Sequence, residues 1–270
     1  MARRRLDAEL VRRGLARSRE HAQRLVADGR VRVGGIPATK PATQVEESAA
    51  LVVVETAAGP DYASRGAHKL LGALAAFDPG GTLVRGRRCL DAGASTGGFT
   101  DVLLRRGAVH VVCVDVGYGQ LAWPLRSDAR VTVMDRTNVR TLAATDLPYR
   151  PELVVADLSF ISLRLVLPAL AGMVAEGADL LLMVKPQFEV GREALVAEGS
   201  GGVVRDPELR AAAVLDVAGA AHELGLGTAG VVASPLPGPS GNVEYFLHLR
   251  ADTGPPDPEL VRRAVEEGPR

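Results

Sequence analysis

The chain has 270 residues, of which 47% are hydrophobic and 24% are charged. This apolar fraction supports a sizeable core and excludes a largely disordered chain, and the length favours one large domain or two of unequal size. The 32 basic and 32 acidic side chains balance, but residues 1–40 carry 11 basic and 4 acidic ones. This asymmetry predicts a basic N-terminal module for a polyanion on an acidic body, the alternative being a solvated basic face.

Membrane insertion, export and metal binding find no support in the sequence. Apolar runs such as residues 180–184 are far shorter than the roughly 18 residues of a membrane span. Asp7 and Glu9 interrupt the N-terminus where a signal peptide needs an apolar core. Cys89 and Cys113 lie inside apolar, strand-like runs, which favours buried free thiols. We therefore expect a cytoplasmic protein without a metal site or stable membrane insertion.

The first 59 residues have the pattern of a small α+β module. Apolar residues at helical spacing predict one helix that ends near Gly14 and a second that begins after the N-cap residue Ser18. A short strand and hairpin follow, and residues 51–54 predict a further strand. Residues 60–66 are predicted to form a linker.

From residue 67 the pattern changes to strands that alternate with helices. Strands are predicted at residues 88–91, 110–115, 131–134, 153–157, 180–185, 228–233 and 243–249, and helices at 99–106, 163–176 and 207–224. This alternation predicts an α/β domain over residues 67–254, with a mainly parallel sheet covered on both faces and ligands at the carboxyl ends of its strands. Residues 255–270 are predicted to be a C-terminal tail, to which we assign no function.

A glycine-rich segment follows the first strand of this domain and opens a helix. Its candidate cofactor-binding residues are Asp91, Gly93, Ala94, Ser95, Thr96, Gly97, Gly98 and Phe99. A dinucleotide fingerprint that starts at Gly93 requires glycine at position 95, where this chain has serine. Asp91 at the strand end would repel a phosphate and attract a cationic sulfonium-bearing amino acid. The segment therefore favours S-adenosylmethionine over NAD.

Two further carboxylates end the next two predicted strands. Asp115 is predicted to accept hydrogen bonds from ribose hydroxyls, as the carboxylate at the same position does in dinucleotide sites. Asp135 is predicted to contact an adenine amino group. Each of them alone would be read as a surface residue. Their positions at successive strand ends beside one glycine-rich loop favour a cofactor site.

Lysine is rare in this chain, which has 29 arginines and only three lysines. Lys185 ends one apolar strand and Asp157 ends the strand before it, which indicates a site that needs a compact ammonium group, or else a structural ion pair. The predicted strand positions of Cys89 and Cys113 disfavour methylation of a base carbon, which needs a cysteine nucleophile on a loop. The residues from Asp157 to Phe160 also lack the Pro-Pro-aromatic pattern of amine methyltransferases, which leaves oxygen methylation as the leading chemistry.

Several motifs give the chain a specific family resemblance. The N-terminal Arg-Leu-Asp-Ala-Glu-Leu-Val-Arg-Arg-Gly resembles an S4-type RNA-binding domain, and the rest is similar to FtsJ-like methyltransferases of the Rossmann-like class I fold. The chain also contains the motifs Ser-Arg-Gly-Ala-His-Lys69, Asp157-Leu-Ser-Phe-Ile-Ser, Val-Lys185-Pro-Gln-Phe-Glu and Gly-Asn-Val-Glu244-Tyr-Phe. Together, all these motifs resemble the TlyA family over about residues 3–250.

The resemblance implies a ribosomal RNA 2′-O-methyltransferase that uses S-adenosylmethionine, modifies cytidines of both subunits and has rRNA or ribosomal subunits as partners. It also places a Lys-Asp-Lys-Glu tetrad on Lys69, Asp157, Lys185 and Glu244. In this reading Lys185 activates the ribose hydroxyl, as a general base if desolvation leaves it neutral or electrostatically if it stays charged. Asp157 holds the Lys185 ammonium, and Lys69 and Glu244 orient the ribose and its surroundings.

Candidate RNA contacts are basic or aromatic. They are Arg4, Arg12, Arg13, Arg17, Arg19, Arg24, Arg30 and Arg32, with Phe160 and Phe188 as residues that stack on a flipped base unless they pack in the core. Two alternative functions are a membrane-active haemolysin, suggested by another label of the family, and an RNA-binding protein whose methyltransferase domain is inactive.

Overall fold

The computed structural model describes residues 3–16, 18–54, 62–191, 195–196, 199 and 201–269. The chain divides into two compact units, one of residues 1–61 with 122–124 and the other of residues 62–121 and 125–270.

The described residues of the N-terminal unit form two helices and five short strands. They are β1 (Arg3–Arg5), α1 (Leu6–Arg12), α2 (Arg19–Ala27), β2 (Val31–Val33), β3 (Ile36–Pro37), β4 (Gln44–Glu46) and β5 (Leu51–Val53). Ser18 accepts a hydrogen bond from the backbone N–H of His21, as an N-cap of α2 should. Strand β2 pairs antiparallel with β3 and β5, and β1 pairs with β4. The predicted helices and hairpin are confirmed, whereas β1 and β4 were not anticipated from the sequence.

Aliphatic side chains form the core of this unit. Leu6 and Leu10 of α1, Leu25 of α2 and Val31 of β2 are almost completely buried in one cluster. Because α1 and α2 present their apolar faces to the same cluster, the module can bury a core despite its small size.

The larger unit alternates helices and strands. Its elements are α3 (Gly66–Phe77), β6 (Arg88–Ala92), α4 (Gly98–Arg105), β7 (His110–Val114), α5 (Trp123–Arg126, of which only residues 125–126 belong to this unit), β8 (Val131–Met134), β9 (Leu153–Ala156), α6 (Leu167–Met173), β10 (Asp179–Val184), α7 (Pro186–Glu189), α8 (Pro207–Glu223), β11 (Gly227–Ala233), β12 (Tyr245–Arg250) and α9 (Pro258–Glu266). All seven predicted strands are present, with ends that differ by one or two residues.

The seven strands form one sheet in the order β11-β12-β10-β9-β6-β7-β8. The strands from β10 to β8 run parallel, whereas β12 lies antiparallel between β10 and β11. The start of β12 therefore meets the carboxyl ends of the parallel strands, and Tyr245 is paired with Val184. The predicted mainly parallel α/β sheet is confirmed.

Several helical segments differ from the predictions. Helices α3, α5 and α7 were not predicted, and α3 begins at Gly66, the last residue of the predicted linker. The predicted helix at 163–176 is divided into a 3₁₀ turn at Leu163–Leu165 and helix α6, because Pro168 in the first turn of α6 favours a new helix start. Helix α9 lies within the predicted C-terminal tail and begins after Asp257, whose side chain accepts a hydrogen bond from the N–H of Glu259. Its Val261 is fully buried in the main core, so these residues also stabilise the fold.

Candidate active site

The glycine-rich loop joins β6 to α4 at the carboxyl edge of the sheet. Gly93 has φ of 85°, and a Cβ atom at this position would lie 2.7 Å from the carbonyl oxygen of Asp157. Only glycine therefore allows the loop to pass this close to the end of β9. At Gly97, with φ of 96°, a side chain would instead collide with Leu121 and Leu125, so this glycine serves internal packing.

Asp91 is a buried carboxyl group beneath this loop. Its Oδ2 accepts a hydrogen bond of 2.6 Å from the Thr100 hydroxyl. Its Oδ1 is also buried and has no hydrogen-bond partner in the described part of the chain. Burial raises the pKa of Asp91 to about 7. The free acceptor and the excess of carboxylates nearby suit a cationic ligand group.

Asp115 borders a cavity of about 440 Å³ beside the loop. Its two oxygens accept backbone hydrogen bonds from Ser95 at 2.8 Å and from Gly117 at 2.7 Å. These bonds fix the carboxylate at the cavity wall and leave each oxygen a further acceptor position for a hydroxyl group.

Asp135 does not line this cavity, although it follows the next strand. Its Oδ2 receives 2.9 Å and 3.2 Å hydrogen bonds from Arg126 and from the N–H of Gly119, and Arg126 lowers its pKa. Thr137 and Asn138 line the cavity wall beyond β8. The contact of Asp135 with adenine therefore stays a prediction, and the sequence analysis had not singled out Thr137 or Asn138.

A second cavity, of about 460 Å³, lies beside Lys69 at the start of α3. Residues 64–66 and the loop at 236–239 form much of its wall. The two cavities share Gly93, Ser95 and Asp157 in their linings. Asp157 therefore stands where the two spaces meet.

The four residues of the tetrad form a chain of alternating charges. Glu244 Oε2 lies 2.5 Å from Lys69 Nζ, which lies 4.0 Å from Asp157 Oδ2. Asp157 Oδ1 lies 2.6 Å from Lys185 Nζ, which also donates a 2.8 Å hydrogen bond to Ser159 Oγ. Low exposure of the side chains, 8% for Lys185 and 1% for Glu244, limits screening of these charges by water.

Sheet topology explains why these residues meet. Lys185 follows β10 and Asp157 follows the adjacent parallel strand β9, so both lie at the carboxyl edge. Glu244 precedes β12, whose antiparallel direction brings its start to the same edge. Lys69 comes from α3, and Gly238 leaves room for the carboxylate, since a Cβ there would lie 2.7 Å from Glu244 Oε1.

The two candidate stacking residues lie together beside this chain of charges. Phe160 is 92% exposed and Phe188 is partly buried, and their ring centroids are 5.4 Å apart. Phe160 has φ of 64°, a conformation that is unfavourable for a bulky side chain. Core packing is excluded for Phe160 by its exposure, and its ring borders the cavity near Asp115.

The candidate RNA-binding arginines differ in their surroundings. Arg4, Arg12 and Arg19 are about half exposed and pair with acidic side chains of their own unit. Arg13 is more buried and donates to the backbone carbonyl groups of Ala49 and Glu47. The remaining candidates are Arg30 and Arg32, which donate to the carbonyls of Val54 and Gly35, and Arg17 and the Arg24 side chain, which lie outside the described residues.

Comparisons with known proteins agree with this architecture. The profile of the S4 domain matches residues 4–51, and that of the FtsJ-like methyltransferases matches residues 62–251. The 16S/23S rRNA (cytidine-2′-O)-methyltransferase TlyA of Mycobacterium tuberculosis is 60% identical over the full length of both chains.

Two solved structures have a similar fold. A protein from Streptococcus thermophilus that is labelled a hemolysin has 36% identity and a TM-score of 0.73, with 99% of this chain and 96% of that chain covered. A protein from Listeria monocytogenes that is labelled an S-adenosylmethionine-dependent methyltransferase has 11% identity and a TM-score of 0.50, with coverage of 69% and 99%, and shows the fold alone.

The sheet order, the glycine-rich loop and the matched profile define an FtsJ-like methyltransferase with an N-terminal S4 domain. The chain belongs to the TlyA family, as its full-length match shows. The resemblance found in the sequence motifs is thereby confirmed. Within the described ranges, no helix has both the length and the apolar character needed to cross a bilayer.

Proposed function

We propose that this chain transfers the methyl group of S-adenosylmethionine to a ribose 2′-hydroxyl of ribosomal RNA, with cytidine as the target nucleotide. The observation that carries the proposal is the charge chain Lys69, Asp157, Lys185 and Glu244 at the meeting point of two cavities. The name of the M. tuberculosis relative, with which the chain shares 60% identity, supports both the reaction and the substrate.

The residues around the glycine-rich loop fit the cofactor. Asp115 is fixed where it can accept hydrogen bonds from ribose hydroxyls, and Gly93 allows close approach to the loop backbone. The buried Oδ1 of Asp91 provides an acceptor for a cationic group. S-adenosylmethionine would supply a methyl group that its sulfonium already activates, so the protein has to activate and align the nucleophile.

Lys185 is the residue best placed for that activation. Its ammonium is held by Asp157 on one side and by Ser159 on the other, which fixes it in a largely buried position. A unit charge about 4 Å from a developing alkoxide contributes on the order of 4 kcal/mol at an effective dielectric constant of about 20. Lys185 can therefore stabilise the oxyanion or, when neutral, accept the hydroxyl proton.

Lys69 and Glu244 hold the other end of this arrangement. Glu244 is buried and pairs with Lys69, so the Lys69 ammonium stays near the second oxygen of Asp157. Asp157 thus lies between two ammonium groups, which keep its carboxylate oriented toward Lys185. Lys69 also lines the 460 Å³ cavity, where its ammonium can contact the ribose of a bound nucleotide.

The S4 domain supports an RNA substrate. It provides exposed arginines for phosphate contacts. In the methyltransferase domain, the exposed Phe160 ring on the loop after Asp157 suits stacking on a base that has been flipped out of its helix. A membrane-active protein would have no need of a buried Lys-Asp-Lys-Glu chain, so we favour the transferase over a haemolysin. An enzyme that acts on ribosomal RNA would work in the cytoplasm.

The test is to map 2′-O-methyl nucleotides by mass spectrometry in ribosomal RNA from cells that express the wild-type chain, Lys185→Ala or Lys40→Ala. Lys40 is exposed in the N-terminal unit, so its variant controls for loss of a lysine. We expect a methylated cytidine with the wild type and Lys40→Ala and none with Lys185→Ala. The same methylation pattern in all three strains and in cells without the chain would refute the proposal.

A further inference from the structure

Glu189 ends the Val-Lys185-Pro-Gln-Phe-Glu motif, and the catalytic scheme above gives it no role. Its Oε2 accepts a 2.5 Å hydrogen bond from the Ser162 hydroxyl, and its Oε1 accepts a 2.8 Å bond from the N–H of Leu163. Burial raises the pKa of this carboxyl group. Its two hydrogen bonds offset the cost of removing this polar group from water.

These two hydrogen bonds join the segment that follows Lys185 to the loop that follows Asp157. Glu189 lies at the end of α7, directly after Lys185 and Phe188 in the chain. Ser162 and Leu163 end the loop that begins at Asp157. The bonds of Glu189 therefore close a bridge between the segment after β10 and the segment after β9.

The bridged loop contains Phe160, which needs an external constraint. An exposed aromatic residue with φ of 64° is held by its surroundings and not by its own preference. At the start of the loop the N–H of Asp157 donates to the carbonyl of Ala92 at 3.1 Å, and at its end Glu189 binds Ser162 and Leu163. Glu189 is thus the far anchor of a segment of only a few residues.

We propose that Glu189 is a positioning residue that holds the rings of Phe160 and Phe188 together as a stacking surface for the target base. This inference rests on the proposed function. Glu189 lines neither cavity, and its hydrogen bonds go to Ser162 and Leu163, so it acts through the Phe160 loop. A purely structural alternative is that Glu189 only caps the 3₁₀ turn at Leu163–Leu165 and stabilises the fold.

The first experiment measures the conformation of the Phe160 loop by NMR and does not depend on methyl transfer. The chain has five phenylalanines, so fluorophenylalanine labelling gives a small set of ¹⁹F NMR signals, which Phe160→Leu and Phe188→Leu assign. We expect Glu189→Ala to shift and broaden the Phe160 signal, Glu189→Gln to restore it in part, and the buried Phe246 signal to stay fixed. If Glu189→Ala fails to fold, Ser162→Ala replaces it: this change removes the bond from the hydroxyl to Glu189 and the bond that the hydroxyl accepts from the N–H of Arg164, and it leaves the bond from Leu163 to Glu189 in place.

Asp257→Ala is the matched control, because Asp257 also caps a helix with its carboxylate but lies outside both cavity linings. It should lower the melting temperature without moving the Phe160 signal. An unchanged Phe160 signal in the Glu189 and Ser162 variants would overturn the proposal.

The second experiment measures single-turnover methyl transfer to ribosomal RNA. Glu189→Ala should lower the rate about tenfold or more, as expected for loss of charge-assisted hydrogen bonds, with S-adenosylmethionine affinity within about twofold of the wild type. Combined with Phe160→Ala, it should cause no further loss, because both changes remove the same stacking surface. Rate losses that multiply would overturn the proposal. If the wild type transfers no methyl group, the proposed function fails and the ¹⁹F signals alone decide the role of Glu189.

Discussion

Lys185→Arg separates a catalytic role of Lys185 from a structural one, because it keeps the positive charge. The Lys185 ammonium lies 2.6 Å from Asp157 Oδ1 and donates a 2.8 Å hydrogen bond to Ser159. A guanidinium group pairs at least as well with a carboxylate, so a structural ion pair would survive the change. It is wider than an ammonium, however, and the 8% exposure of the Lys185 side chain leaves little room.

The expected loss follows from the displaced charge and the lost base. If the centre of positive charge moves from about 4 Å to about 6 Å from the oxyanion, its contribution at a dielectric constant of about 20 falls from about 4 to about 3 kcal/mol, or nearly tenfold in rate. Arginine is also too weakly acidic to act as a base, and loss of acid-base assistance lowers rates by roughly 10² or more. We therefore expect methyl transfer to fall by about 10² or more.

The assay is single-turnover transfer of labelled methyl to ribosomal RNA, with separate measurement of the binding constants for cofactor and RNA. Both constants should change little in Lys185→Arg, since neither depends mainly on this group. Lys40→Arg is the matched control and should retain full activity. Transfer near the wild-type rate by Lys185→Arg would refute the catalytic assignment and leave the ion pair as the role of Lys185.

Three further predictions concern the two units and the cofactor site. Removal of residues 1–59 should leave the affinity for S-adenosylmethionine unchanged and weaken RNA binding. The RNA affinity of the intact chain should fall by about 0.9 log unit per log unit of salt for each phosphate contacted. Equal RNA affinity of the truncated and intact chains across a salt series would contradict this prediction. Gly93→Ala should abolish cofactor binding, because its Cβ would lie 2.7 Å from the Asp157 carbonyl oxygen. Gly177 has a similar φ of 69° but open space around it, so the control Gly177→Ala should lose only about 1 to 2 kcal/mol of stability. Equal cofactor affinity of the two variants in calorimetry would place the pocket elsewhere. Burial raises the pKa of Asp91 from 3.8 to about 7, so between these pH values the native state retains a proton that the unfolded chain has released. The free energy of unfolding should therefore decrease by up to about 4 kcal/mol as the pH rises from about 4 to about 7. Asp91→Asn should flatten this dependence in urea unfolding, and an unaltered pH profile would show that Asp91 is not its source.

The strands of the larger unit were predictable because each is a short apolar run bounded by polar or glycine residues. Strands β9 and β10 are buried on both faces, which produces the continuous aliphatic segments seen in the sequence. Helix α9 was not predicted, because its Pro258 and its charged residues also fit a solvated tail. The burial of its Val261 depends on the rest of the core, which lies far away in the sequence.

The sequence by itself determined the class of site at the strand ends. The Asp91–Gly98 pattern predicted a cofactor loop, and the family motifs predicted the four tetrad residues, because each of these signals is local or depends on residue type. It also singled out Asp135, which the structure places in a pair with Arg126 and outside the cavity lining.

Only the tertiary structure decided which residues meet. The antiparallel insertion of β12 brings Glu244 to the edge where Lys185 lies, although the two are far apart in the chain. The exposure of Phe160 and the bridge from Glu189 to Ser162 likewise depend on how two loops pack. Strand order and loop packing arise from long-range contacts, which leave no periodic signal in a single sequence, and so the arrangement of the site could be known only from the fold.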